Sequence, residues 1–183
     1  SIALVGPSGC GKTTIVNLIL RLYEPCSGEI FIDGNNIGVL EPHSFYEQIG
    51  VVLQEPSLWN DTIENNILYG KPDAPKEQLC KTAEITGVDI LVQSIPEGYQ
   101  AQIGEDAGKL SQGQKQRVAI SRAFIKRPKI LILDEAMSSW DLESERKILD
   151  SLLKDRKGLT TIIISHRVSA LDLVDILKEE LNV

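Results

Sequence analysis

The sequence predicts an α/β fold in which a mostly parallel sheet is interrupted by an inserted run of helices. Three observations carry this. The apolar run Ile2-Ala3-Leu4-Val5 feeds a glycine-rich turn and then an amphipathic segment, the order strand, loop, helix. The runs Ile130-Leu131-Ile132-Leu133 and Thr160-Thr161-Ile162-Ile163-Ile164 are apolar or β-branched throughout, as strands buried on both faces of a parallel sheet require. Between Pro56 and Arg127 the spacing turns helical and strand signals are few. At 183 residues and 42% hydrophobic content the chain is long enough for one sizeable core.

The first element sets the chemistry. Behind the opening run stands Gly6-Pro7-Ser8-Gly9-Cys10-Gly11-Lys12-Thr13-Thr14, which fits the phosphate-loop pattern of Gly, four residues, then Gly-Lys-Thr. Glycines let backbone N–H groups curl around phosphate oxygens without a Cβ in the way, and the helix N-terminus behind them adds partial positive charge. Lys12 is expected to reach the β/γ-phosphates of a nucleotide and the Thr13 hydroxyl to ligate Mg²⁺. A plain glycine turn matches the local structure equally well but gives no reason for Lys-Thr at that point. The helix is expected to bury Ile15, Leu18, Ile19 and Leu22.

Cys26-Ser27-Gly28 then punctuates the chain, and residues 29–34 read as a short strand running into an Asp33-Gly34 turn. A helical turn around Ser44-Phe45-Tyr46 leads to the strand 50–53, which delivers Gln54 and is stopped by Glu55-Pro56. Ligands bind at the carboxyl ends of such strands, but position alone leaves Gln54 open between a ligand-facing amide and a solvated loop residue. Helices are expected over 62–69, 75–86 and 89–95. After the loop 104–109, Leu110-Ser111-Gln112-Gly113-Gln114 opens a helix that runs to about Lys126, with Ser111 as N-cap and Val118, Ala119, Ala123 and Phe124 on its buried side. Such a polar, glycine-bearing helix start is either a simple cap or an anion site.

The next strand favours the anion site. Asp134 and Glu135 stand at its carboxyl end, where two acids are costly unless they meet a cation or water. Paired with a phosphate loop, Asp134 is expected to hold Mg²⁺ and Glu135 to orient or deprotonate an attacking water. The acidic cluster Asp141-Leu142-Glu143-Ser144-Glu145 by itself is favourable helix-dipole placement. The last strand ends in Ser165-His166, which puts His166 at the active edge of the sheet, while His43 lies in a Pro-containing loop and takes no role.

Bulk properties exclude other classes. A net charge of -7 argues against a surface built for nucleic acid. Cys10, Cys26 and Cys80 form no C-x-x-C pair, so neither a disulfide framework nor a zinc site is expected, and a reducing compartment fits. No window approaches the ~20 apolar residues a membrane span needs. The chain opens inside a strand and ends on Leu181-Asn182-Val183 without a closing element, so further sequence is expected beyond both ends.

Together these residues resemble the nucleotide-binding domain of the ATP-binding cassette family, exporter type, from Ile2 to about Ala170. The phosphate loop, the glutamine loop at Gln54, the signature 110–114, the acidic pair Asp134-Glu135, the loop Ser138-Ser139-Trp140-Asp141 and the switch His166 follow in the family's order. The exporter type rests on Thr62-Ile63-Glu64-Asn65-Asn66-Ile67 and Ile103-Gly104-Glu105, which resemble segments that touch membrane domains. The resemblance implies a P-loop ATPase core over 1–55 and 128–183 and a helical subdomain over 56–127. It implies ATP and Mg²⁺ as ligands, with the metal on Thr13, Gln54 and Asp134, and catalytic roles for Glu135, His166 and Gln54. A second such domain, identical or not, is expected to pack head to tail, so that Ser111, Gly113 and Gln114 meet the partner's ATP. Transmembrane domains on the cytoplasmic face of a membrane complete the expected assembly.

Some residues depart from the family pattern. Gln112 replaces a usual glycine and is expected to place a side chain in a crowded interface. Met137 and Trp140 replace the commoner Thr and Leu, and Trp140 is expected to add bulk near the dimer contact. The aromatic residue that stacks on adenine in the family lies upstream of the chain. The altered signature motivates a second hypothesis, a non-hydrolysing regulatory module. A third is a soluble cassette ATPase, of which the DNA-repair kind would carry a long coiled-coil insertion that this sequence lacks.

Overall fold

The computed structural model describes residues 1–7 and 9–165, so Ser8, His166 and everything after it lie outside the described residues. In chain order the elements are β1 (Ile2–Leu4), α1 (Lys12–Ile19), β2 (Phe31–Ile32), β3 (Asn35–Asn36), α2 (Pro42–Glu47), β4 (Ile49–Val52), α3 (Ile63–Leu68), α4 (Lys76–Thr86), α5 (Val88–Gln93), α6 (Gln112–Ile125), β5 (Ile130–Asp134), α7 (Leu142–Asp155) and β6 (Thr160–Ile164). Four strands make one sheet in the order β1-β6-β5-β4, every neighbouring pair parallel. The carboxyl ends of all four strands therefore lie at one edge, and the phosphate loop, Gln54 and Glu135 each follow one of them.

The period of two in the strands builds two faces. Leu131, Leu133 and Ile163 pack with Ala3 and Val52 against Ala119, Ile120, Ala123 and Phe124 of α6 and Ile148, Leu149 and Leu152 of α7. Ile132, Ile162 and Ile164 point the other way, onto Val16 and Leu20 from the α1 region and Phe45 of α2. A third cluster joins Ile63 and Ile67 of α3, Leu79 and Ala83 of α4 and Val88 and Leu91 of α5 to Val118 and Ile125 of α6. The helix α6 is thus a shared wall between the sheet and the helical insertion. Leu133 is fully buried, and its truncation to Ala is worth about 2–5 kcal/mol.

At the amino ends of the strands, Arg156 lies buried beyond α7. It donates to Pro128 O at 2.9 Å, Thr160 O at 2.8 Å, Lys129 O at 3.4 Å and Thr161 Oγ1 at 3.0 Å. Burial brings its pKa down to about 10, still charged at neutral pH.

Two expectations are corrected. The buried apolar residues of the first helical segment are Val16 and Leu20, whereas Leu22 lies past the helix and is exposed. The helix ends early because Arg21 takes a positive φ of 54° and swings out to donate to Leu40 O at 2.8 Å and Gly38 O at 3.1 Å. The strand read over 29–34 is two residues long and folds back on β3 as an antiparallel hairpin. Asp33 and Gly34, both at positive φ, make the two-residue turn that matches strand twist. Among the described residues no helix is long and apolar enough to cross a membrane.

Candidate nucleotide site

The segment between β1 and α1 calls for glycine at two points, because Gly9 and Gly11 sit at φ 82° and 96°. Gly11 is the N-cap of α1 and has no side chain to satisfy the first-turn N–H groups, which stay available to an anion. Lys12, the first residue of the helix, is buried, and its Nζ donates to Gly6 O and Pro7 O at 2.8 Å each. Cys10 Sγ lies 3.7 Å from the same nitrogen. The ammonium thus folds back into its own loop and occupies the place where loop carbonyls converge.

Gly9, Gly11, Lys12, Thr13 and Thr14 line a cleft of about 220 Å³ together with Gln54 and Glu135. Three separate strand ends converge here. Gln54 follows β4, and Glu135 follows β5, the neighbouring strand. Glu135 holds a positive φ of 49°, sparsely populated for a residue with a Cβ, and its N–H is fixed to Ile164 O at 3.0 Å. Such a conformation costs of order 1–3 kcal/mol and persists because the adjoining strand enforces it. Asp134 ends β5 as a buried residue behind the cleft lining.

Ser111, Gly113 and Gln114 do not line this cleft. They form the first turn of α6, where Gln114 N–H donates to Ser111 Oγ at 3.3 Å and Ser111 N–H donates to Gln114 Oε1 at 2.8 Å, a reciprocal capping box. Gln112 is exposed beside them, lining a polar groove of about 360 Å³ with Lys115 and the 55–58 loop. Trp140 is buried in this chain's own core, and the Arg117 guanidinium lies 4.6 Å from its ring centroid.

The two segments read as facing membrane domains come together although some 40 residues separate them. Ile63 N–H donates to Ala101 O and Ile103 N–H to Asp61 O, both at 3.1 Å, around the bridge Thr62–Gln102. Sequence reasoning missed the polar residues that anchor this region. Asn66 is fully buried, accepts from Trp59 N–H at 2.9 Å and donates to Trp59 O at 3.0 Å. Arg122 of α6 reaches across to Asn66 O at 2.9 Å, Asn66 Oδ1 at 2.7 Å and Ser57 O at 2.9 Å, tying the loop after Gln54 to both helices. The signal was a polar residue at an apolar period: Asn66 sits between Ile63 and Ile67, and Arg122 four residues after Val118.

A family model described as ABC transporter matches residues 1–138. ABC transporter B family member 13 of Arabidopsis thaliana is 48% identical over 173 residues, covering 94% of this chain and 14% of that protein. Multidrug resistance protein 1 of Entamoeba histolytica is 46% identical over 178 residues, covering 96% of this chain and 14% of that protein. Among solved structures, a bacterial Atm1-family ABC exporter with ATP bound superposes with a TM-score of 0.90 at 41% identity, over 93% of this chain and 30% of that one. The chain thus spans between a seventh and a third of the proteins it matches.

Proposed function

The chain belongs to the ABC transporter family as a nucleotide-binding domain of the exporter type, and from that premise we propose that it hydrolyses Mg-ATP to drive export across a membrane. The observation that carries the proposal is the single cleft lined by the phosphate loop, Gln54 and Glu135. Backbone N–H groups of Gly9 and Gly11 and the head of α1 take the phosphates, and Lys12 exchanges its loop carbonyls for β/γ-phosphate oxygens. Thr13, Gln54 and Asp134 offer hydroxyl, amide and carboxylate oxygens, the donor types that suit Mg²⁺. When bound, the ion supplies charge neutralisation at the phosphoryl group being transferred.

Glu135 accepts a proton from, or orients, the water that attacks the γ-phosphate; its enforced backbone angle aims the carboxylate from the strand end into the cleft. Gln54 watches the same cleft and passes its state along the 55–58 loop to Arg122 and Asn66. His166, at the tip of the strand after Ser165, is assigned to the γ-phosphate by the family pattern.

The site is completed by a second nucleotide-binding domain packed head to tail, whose ATP meets Ser111, Gly113 and Gln114. Their absence from this chain's cleft is what such an arrangement requires. On this reading the chain divides into a core over 1–55 and 128–183 and a helical subdomain over 56–127. Transmembrane domains dock on the exposed ring pair Trp59–Tyr69, centroids 5.9 Å apart, beside the paired 61–63 and 101–103 segments, and the chain lies on the cytoplasmic side.

The test is Glu135→Gln in the purified transporter. Mg-ATP turnover should fall at least about 100-fold while nucleotide still binds. Turnover within a few-fold of the parent removes Glu135 from the chemistry and the proposal with it.

A further inference from the structure

The loop running on from Glu135 is fastened to the first two turns of α6 at three points. A Cβ built on Gly113 would stand 3.3 Å from Trp140 Cδ1 and 3.5 Å from Ser139 Oγ, so the helix backbone lies directly against the loop. Gln116 is 1% exposed; it accepts from Ser139 Oγ at 2.6 Å and donates from Nε2 to Ser138 Oγ at 3.4 Å. Arg117 stacks on Trp140 and donates to Gly87 O at 3.4 Å. The loop has no slack to absorb movement. Ser138 N–H bonds to Glu135 O and Trp140 N–H to Met137 O, each at 3.1 Å.

A buried amide is stable only where its hydrogen bonds are made, and here both partners are hydroxyls of the two exposed residues of the loop, Ser138 and Ser139. An apolar side chain would fill that space without linking to the loop. The link runs from the face that bears Ser111 and Gly113, through Gln116 and Ser138, to the carbonyl of Glu135.

We propose that Gln116 is a positioning residue that ties the head of α6 to Glu135. A nucleotide held by the partner domain and docked on Ser111 and Gly113 then fixes the placement of Glu135 over the nucleotide on this chain's own loop. The two composite sites communicate through this amide. The proposal rests on the hydrolytic, two-domain reading above.

The test compares Gln116→Leu, Gln116→Glu and Ser139→Ala in the purified transporter, each also prepared with 5-fluorotryptophan so that the Trp140 ring is followed by its own ¹⁹F resonance, assigned by its loss in Trp140→Phe. Gln116→Leu and Ser139→Ala should lower kcat by about tenfold with KM for Mg-ATP changed less than about twofold, the pattern of a lost transition-state placement. An ATP-induced shift of the Trp140 resonance is expected in the parent and should disappear in both. Gln116→Glu keeps the acceptor for Ser139 Oγ and should recover at least about half of kcat. A kcat within twofold of the parent in Ser139→Ala, with a melting curve that matches the parent's, overturns the proposal. So does a lowered kcat with the Trp140 response intact. Glu135→Gln separates the levels: if it leaves turnover intact, the hydrolytic reading has failed; if it abolishes turnover while Gln116→Leu does not reduce it, only the positioning role has failed.

Discussion

Replacing Lys12 by Ala removes a side chain that folds back into its own phosphate loop. The Nζ makes two charge-assisted hydrogen bonds at 2.8 Å, to Gly6 O and Pro7 O. Bonds of this kind are worth about 1.5–3 kcal/mol each. On the proposed function, the same nitrogen trades both carbonyls for phosphate oxygens when nucleotide binds. The carbonyls turn to water or loop N–H groups, and the gain is the difference between a carbonyl dipole and a full phosphate charge. Taking about 1.5 kcal/mol per exchanged bond, the variant loses about 3 kcal/mol of binding, or about 150-fold in Kd. Equilibrium titration with a fluorescent ATP analogue reads this directly, and a melting curve without nucleotide guards against unfolding. A Kd shift under about fivefold, with the fold intact, would mean that Lys12 stays on its carbonyls when nucleotide binds, and the exchange would be refuted.

Gly70→Ala should destabilise the chain by at least about 3 kcal/mol, or roughly 6–12 °C in Tm, because the new Cβ would lie 1.9 Å from Arg122 O and force α3 from α6; a shift under 2 °C contradicts that packing. Alkylation of Cys10 by maleimide, in a Cys26→Ser, Cys80→Ser background, should block nucleotide binding, since Sγ stands 3.7 Å from Lys12 Nζ, and prior ATP should protect; equal labelling with and without ATP argues otherwise. Acid should expose the cap of α7. Backbone N–H donation from Ser144 holds the Asp141 carboxyl below its ordinary 3.8, so its contribution is complete above that pH and is lost as pH falls through the lower folded value. Asp141→Asn should therefore flatten the acid limb of a stability–pH curve; an unchanged limb rules the cap out as its source.

What the sequence could disclose depended on the range over which each feature is encoded. The strands β5 and β6 were legible because burial on both faces writes an unbroken apolar run, and the phosphate loop because its glycines, lysine and threonine act within eight residues. The helix ends at Ser111 and Asp141 were legible for the same local reason, each being an N-cap whose oxygen accepts from a residue three positions on. The buried side of α1 was not, since eight residues give barely two turns of period and Arg21 ends the helix through a bond to Leu40, 19 residues away. Asn66 and Arg122 escaped because the apolar period marks each position as buried but does not reveal a partner 56 positions away. The burial of Trp140 was not legible because Arg117, which covers it, is distant in sequence and meets it only in space.

The buried guanidinium of Arg156 has a bearing on how the molecule can yield to force. By gripping the carbonyls of Pro128, Lys129 and Thr160, it clamps the origins of the two central strands to each other. A push delivered at Glu135 or Ser165 then meets a beam fixed at its far end. The deflection is concentrated in the last residues before the cleft rather than spread along the strands. Amide exchange should record this as a gradient, slowest at Leu131 and Thr161 and quickening toward the tips, so that one edge of the sheet serves as foundation and the other as moving part.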